Sequence, residues 1–188
     1  MTELFKKMDE WDKKISKGIA QKSQKNLKIA SFFALSGNAQ PWFVISILFF
    51  FLDVFMERSD NLIQMTLAGA VGLTTTTIKY LTKRKRPNEQ VALKYIATGD
   101  HFSFPSGHAS RMGSLAMFMT LIFPTFGWIF ILWAIAVCFG RIALEVHYFG
   151  DIVGGVIWGA IIGVIFFAIR KYFYIIFDPV SNWIPTIW

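Results

Sequence analysis

Charge is scarce in this chain of 188 residues: Asp, Glu, Lys and Arg make up 16% of it, where a soluble domain carries about 25%. Hydrophobic residues reach 54%, with 20 Phe and 7 Trp. This balance excludes an ordinary soluble domain and points to one compact membrane domain. Cysteine is nearly missing. Cys138 stands alone inside an apolar run, so a disulfide framework is excluded. With three histidines and scattered carboxylates the chain offers no metal-ligand cluster, and neither metal nor cofactor is expected. A long basic tract interleaved with aromatics is also missing, so the net charge of +7 is not read as nucleic-acid binding. Basic residues that border apolar segments face lipid headgroups or phosphate instead. The first 28 residues hold no continuous apolar core, and no signal peptide is read there.

What the chain does have is a series of uncharged segments with polar borders. Leu4, Phe5, Met8, Trp11, Ile15 and Ile19 recur at three- and four-residue steps, the spacing of one stripe along a helix. With eight lysines before residue 29, that helix is expected to lie in the membrane interface. Residues 1–40 are read as this interfacial segment and 41–188 as the transmembrane domain. Spans are expected from about Pro41 to Met56 and from Asn61 to Ile78, with a polar, irregular loop over 83–104. Residues 112–140 carry no charge, and Pro124-Thr-Phe-Gly127 divides them into a hairpin of two spans. A last span runs from Ile152 to Ile169, where Gly155, Gly159 and Gly163 permit close helix contact. The expected fold is therefore an all-α integral membrane bundle of about five spans, with an aromatic tail at the headgroup boundary.

Three polar stretches fall at the ends of these spans, all on one face of the membrane. They are Lys79 to Arg86-Pro87, Pro105-Ser-Gly-His108, and Arg141 to His147 and Asp151. Each task of phosphate-ester hydrolysis has a candidate among them. Lys79, Arg86 and Arg141 supply positive charge, and an arginine fork binds two phosphate oxygens at once. Ser106 and Gly107 open a helix, whose free N–H groups form an anion site. His147 precedes Asp151 by four residues, one helical turn, so the carboxylate can orient the imidazole for nucleophilic attack. His108 is then the general acid. His101 is a loop residue within reach of substrate, and Arg111 faces either the phosphates or a structural carboxylate.

This order and spacing, over residues 79–151, resembles the type 2 phosphatidic acid phosphatase superfamily. The resemblance implies an integral-membrane lipid phosphate phosphatase with a phosphohistidine intermediate and no metal. It also implies the same roles for the residues just named. Two departures stand out: Gly140 occupies the place where the family usually has Ser, and the first of the family's frequent six spans is missing or reduced to the amphipathic segment. Phosphate monoesters of lipids and isoprenoid or polyprenyl diphosphates are both implied substrates, with phosphatidic acid and phosphatidylglycerol phosphate among the former. Arg86-Pro-Asn-Glu and Phe102 to Arg111 look like the isoprenoid diphosphate subset. A phosphate or phospholipid transporter keeping the pocket is the non-catalytic alternative. A partner-binding role would need residues 1–22, whereas the enzyme reading expects most activity to survive their deletion. The plasma (inner) membrane is expected. Lysines of the N-terminus favour a cytoplasmic site and Arg58 stands opposite, while the resemblance favours the outer face. Oligomeric state is not specified.

Overall fold

The structure, a computed structural model, describes residues 3–55, 60–95 and 100–183. All regular structure among them is helical. The order is α1 (Glu3–Ser23), a short 3₁₀ turn (Gln24–Asn26), α2 (Leu27–Ser36), α3 (Ala39–Phe55), α4 (Asp60–Thr82), α5 (Glu89–Tyr95), α6 (Gly107–Ile122), α7 (Gly127–Ala143) and α8 (Phe149–Trp183). Each expected apolar segment falls in a helix: α3, α4, the α6–α7 hairpin and α8. Among the described residues one stretch, Phe149–Pro179, is long and apolar enough by itself to cross a membrane. Arg58, used in the charge count, lies outside the described residues, as does the tail beyond residue 183.

Two expectations change. The loop over 83–104 contains a short helix, α5, whose Ala92 is buried against Ala34, Leu144 and Val146. Tertiary packing orders a segment whose own polarity reads as loop. The last span does not stop near Ile169 either; α8 continues to Trp183, its extension carrying Phe173 and Phe177, whose rings stack on one another and, through Phe173, on Phe166 of the span.

The bundle is inside-out relative to a soluble protein. Ser106, Ser110, Ser114, Arg141, His147 and Asp151 are buried, whereas Val44 and Leu48 on α3, Leu132 and Ile135 on α7, and Ile157 and Ile161 on α8 are exposed. Contiguous apolar surface on this scale marks contact with lipid. Lipid leaves no hydrophobic drive between helices, so they are held by close backbone approach and polar contacts. The α6–α8 pair shows both. A methyl group on Gly155 would stand 2.7 Å from the Ser106 carbonyl oxygen, one on Gly163 2.8 Å from that of Ser114, and one on Gly159 would collide with that of Ser110. Trp158 donates to Thr74 of α4 at 3.1 Å. An apolar cluster of Ile63, Leu67, Val71, Phe118 and Phe166 fills the space between α4, α6 and α8.

Antiparallel helices joined this way bring the last turn of α4, the first of α6, the last of α7 and the first of α8 to one end. Here the chain turns sharply after α4 and α7. Lys83 (φ 51°) and Glu145 (φ 55°) adopt the left-handed conformation that ends helices, although neither is glycine. Segments α1, α2 and α5 gather at the same end.

Candidate active site

Every residue singled out by spacing stands at this end. Lys79, in the last turn of α4, donates from Nζ to both carboxylate oxygens of Asp100 (2.8 and 3.0 Å) and to the Phe102 carbonyl (2.9 Å). Arg86, in the following loop, donates to the carbonyls of Val146 (3.0 Å) and Asp100 (3.1 Å) and lies 3.2 Å from His147 Nε2. Its Nη2 is also 3.1 Å from the Asp100 carboxylate. Ser106 caps α6, its hydroxyl accepting from the Ala109 N–H, and its own N–H bonds to the Asp151 carbonyl at 3.0 Å. Thus the second and third motifs are tied through the backbone. Gly107 opens the helix beneath the Arg111 guanidinium.

The two histidines are held differently. His108 Nε2 lies 2.7 Å from the amide oxygen of Asn38, in the turn between α2 and α3. His147 is not on a helix, contrary to the expectation that it shares a turn with Asp151. It precedes α8, in the loop that Glu145 turns back, and Asp151 lies in the first turn. The distance from His147 Nδ1 to Asp151 Oδ2 is 3.6 Å, adjacent but longer than a hydrogen bond. Both carboxylate oxygens are engaged elsewhere: Oδ2 accepts from the Tyr148 N–H (2.8 Å), Oδ1 from Arg84 (2.7 Å).

The electrostatics follow from this crowding. Burial, then Arg141, Arg86 and Lys79, hold the His147 imidazole well below its ordinary 6.5, with Asp100 the opposing influence. The ring is neutral at pH 7, the state a nucleophile needs. Burial pushes the Asp100 carboxyl up, but Lys79 and Arg86 outweigh it and keep it below the usual range. Arg141 is fully buried and, among the described residues, makes one long hydrogen bond, to the Tyr95 carbonyl at 3.4 Å. Its Nε and Nη2, with the Nε atoms of Arg86 and Arg111, have no hydrogen-bond partner among the described residues. Buried donors of this kind need an acceptor, and several guanidinium groups at one end of a bundle suit an anion. Arg111 meets no carboxylate among the described residues, which favours the first of its two expected partners. His101 is exposed and outside this cluster. Among the described residues no three His, Cys, Asp or Glu side chains meet in a ligand cluster.

The family model of the PAP2 superfamily matches residues 61–175, more than half of the chain. This chain belongs to the PAP2 superfamily. Among curated proteins it is 28% identical over 159 residues to a lipid A 4'-phosphatase of Porphyromonas gingivalis, covering 76% of this chain and 66% of that one. It is 33% identical over 117 residues to a lipid A 4'-phosphatase of Bacteroides thetaiotaomicron, covering 57% and 52%. The chain thus spans about two thirds or less of these relatives' lengths. Its fold resembles the crystal structure of the first transmembrane PAP2 type phosphatidylglycerolphosphate phosphatase from Bacillus subtilis. The TM-score is 0.71 at 20% identity, over 88% of this chain and 87% of that one.

Within the PAP2 frame the glycine at 140 gains a reason. A methyl group there would stand 2.6 Å from the Ala30 carbonyl oxygen and 3.0 Å from the Ala34 nitrogen. Helix α2 lies so close to α7 that the family's usual serine would strike its backbone. The departure therefore follows from packing of the N-terminal segment.

Four residues near the site escaped the spacing argument: Asp100, which holds Lys79 and Arg86; Asn38, beside His108; and Arg84 with Asp12, behind Asp151. Arg84 sits in the basic run that contains Arg86, yet points away from it toward Asp9, Asp12 and Asp151. An acid beside His101 was a visible signal for Asp100, whereas nothing local marks Asn38 or Asp12.

Proposed function

We propose that this chain is an integral-membrane, metal-independent phosphatase acting on lipid phosphates, with His147 as nucleophile. The observation carrying this reading is the set of buried Arg86, Arg111 and Arg141 donors that have no partner among the described residues, at the end of the bundle where His147 stands neutral. Lys79, Arg86 and Arg141 hold the equatorial phosphate oxygens, with the Ser106 hydroxyl and the Gly107 N–H at the start of α6. His147 Nε2 attacks phosphorus in line; the phosphorus–oxygen bond to the lipid breaks as a phosphorus–nitrogen bond forms. His108 gives its proton to the departing oxygen, the bound phosphate having raised that ring's proton affinity. Water then attacks phosphorus while His108 takes its proton, releasing inorganic phosphate and restoring His147. Asp151 supports the positive charge that His147 acquires.

Membrane lipids suit the surroundings. A cavity of about 350 Å³ between α3, α4 and α6 runs from Arg111 past Trp42, Leu67, Met112 and Leu115, and its largely apolar lining suits an acyl chain. The spans are read as α3, α4, α6, α7 and α8, in the plasma (inner) membrane. The curated relatives move the substrate preference toward a phosphate monoester on a glycolipid of the lipid A kind. Phosphatidylglycerol phosphate and isoprenoid diphosphates follow. A purified sample with chelator, offered lipid A, phosphatidylglycerol phosphate, phosphatidic acid and farnesyl diphosphate, tests this. Chelator-resistant phosphate release that disappears in His147→Ala supports it. Release that survives the substitution refutes the nucleophile, and no release from any substrate by folded protein favours the transporter alternative.

A further inference from the structure

Helix α1 has three edges. Leu4, Met8 and Trp11 are 67, 58 and 62% exposed, whereas Asp12 is 9% exposed and Ser16, Ala20 and Ser23 share its buried edge. Lys6, Lys13, Lys14 and Lys17 occupy the third. The apolar edge suits the lipid surface, as the sequence predicts; the buried edge does something the stripe did not foretell. Asp12 Oδ1 accepts from the Gly150 N–H at 2.7 Å, and Ser16 Oγ accepts from the Phe149 N–H at 2.8 Å. These are the free donors at the start of α8, normally capped by a neighbour in sequence. Here the caps come from 138 and 133 positions earlier.

The same carboxylate reaches the reacting residues by a second route. Asp12 Oδ2 accepts from Arg84 Nη2 at 2.7 Å, and Asp9 Oδ1 accepts from the same nitrogen at 3.0 Å. Arg84 Nη1 donates to Asp151 Oδ1 at 2.7 Å, and the guanidinium rests 4.4 Å above the Tyr148 ring. Gly150 leaves room for this: a methyl group there would stand 2.8 Å from Asp12 Oδ2. Helix α1 also walls a cavity of about 230 Å³ beside His147, through Lys13, Ser16 and Lys17. Asp151 is thus fixed from both sides by one α1 carboxylate, through the backbone of its own turn and through Arg84.

We propose that Asp12 is a positioning residue of the phosphatase: it caps α8 and clamps Arg84, and so sets where the Asp151 carboxylate stands beside His147. This rests on the reading of His147 as nucleophile. It reverses the expectation that most activity survives deletion of residues 1–22. Asp151 is 3.6 Å from His147 with its hydrogen bonds spent on Arg84 and Tyr148, so its position is governed by those partners rather than by the imidazole.

The test compares wild type, Asp12→Ala, Asp12→Asn, Arg84→Ala and the double variant Asp12→Ala/Arg84→Ala in detergent, with His147→Ala and the exposed-edge Glu10→Gln as references. Thermal unfolding is recorded for each, and kcat is expressed per folded molecule. A misplacement of about 1 Å costs on the order of 10²-fold in rate, so Asp12→Ala is expected to lower kcat by about that factor with KM changed less than about twofold. Asp12→Asn keeps an acceptor for Gly150 and loses the charge on Arg84, so its kcat lies between. The double variant falls no further than the worse single one, because both act through Asp151. Normal kcat per folded molecule in Asp12→Asn and Asp12→Ala, or additive losses, would overturn the proposal. Should Asp12→Ala fail to fold, Asp12→Asn and Arg84→Ala decide. Full release by His147→Ala overturns the nucleophile reading and this inference with it, whereas loss there beside normal Asp12 variants overturns this inference alone.

Discussion

The seam between α6 and α8 and the polar crown at its end are built by opposite means. Along the seam the backbones touch: Gly155, Gly159 and Gly163 meet the carbonyls of Ser106, Ser110 and Ser114 with no charged side chain between. At the crown, a few residues further toward the N-terminus of α8, the buried atoms belong to Arg86, Arg141, His147 and Asp151. The Ser110 and Ser114 hydroxyls of the seam donate back to the Ser106 and Arg111 carbonyls of their own helix; the crown keeps arginine donors that none of the described residues satisfies. A bundle in lipid is held by close approach where it is dry, and concentrates buried charge where a ligand can answer it. Stability and chemistry are therefore expected to separate by position along α8.

The largest expected effect breaks the crown and spares the seam. His147→Ala should lower phosphate release by about 10³-fold or more, as loss of a nucleophile does, while thermal unfolding in detergent stays near wild type. The converse is Gly159→Val, which forces a side chain into the Ser110 carbonyl. Overpacking costs roughly 1–3 kcal/mol and more against a rigid backbone, so stability and activity should fall together. A stable, active Gly159→Val protein would break the comparison.

Smaller effects sharpen it. Gly140→Ser restores the residue usual in the PAP2 superfamily, yet places Cβ 2.6 Å from the Ala30 carbonyl oxygen. Melting should show destabilisation of about 1–2 kcal/mol, with no gain in kcat; a gain would mean the hydroxyl matters more than the α2 contact. The pH profile is subtlest. The folded protein keeps His147 neutral below the ordinary 6.5, through burial first and then Arg141, Arg86 and Lys79. Turnover assigned to this group should stay level as pH falls through 6.5 and decline only below it. Stability carries the matching sign: the unfolded chain binds this proton first, so the fold loses stability as pH drops beneath 6.5. An acid limb at or above 6.5 that vanishes in no other variant would contradict the neutral nucleophile.

The parts of this arrangement carried by local spacing were legible before the fold was known. Lys79, Arg86, Ser106, Gly107, His108, Arg141, His147 and Asp151 lie at helix ends or in the loops beside them because charge cannot enter an apolar span, and spans that alternate in direction gather alternate ends. The glycine stripe was legible for the same reason: a four-residue repeat occupies one helix face. What spacing could not give is partnership across the chain. Asp12 lies 138 positions from the Gly150 N–H it caps, and Asn38 lies 70 from His108. The stripe on α1 predicted which edge meets lipid, yet its buried edge carries Asp12 and Ser16, polar residues that no hydrophobic pattern selects. Asp151 was expected to bond His147 through one helical turn. The helix begins only at Phe149, so the imidazole approaches from the preceding loop.

The central claim is that phosphate passes through His147, and trapping the intermediate tests it most directly. His108→Ala would be given a radiolabelled, activated phosphate ester that needs no general acid, with chelator present, and quenched in alkali, where a phosphorus–nitrogen bond survives. Label on the protein that is stable to alkali, lost in mild acid and missing from His147→Ala is the predicted result. Equal labelling of the His147→Ala protein, or label that maps to another residue, would contradict the account.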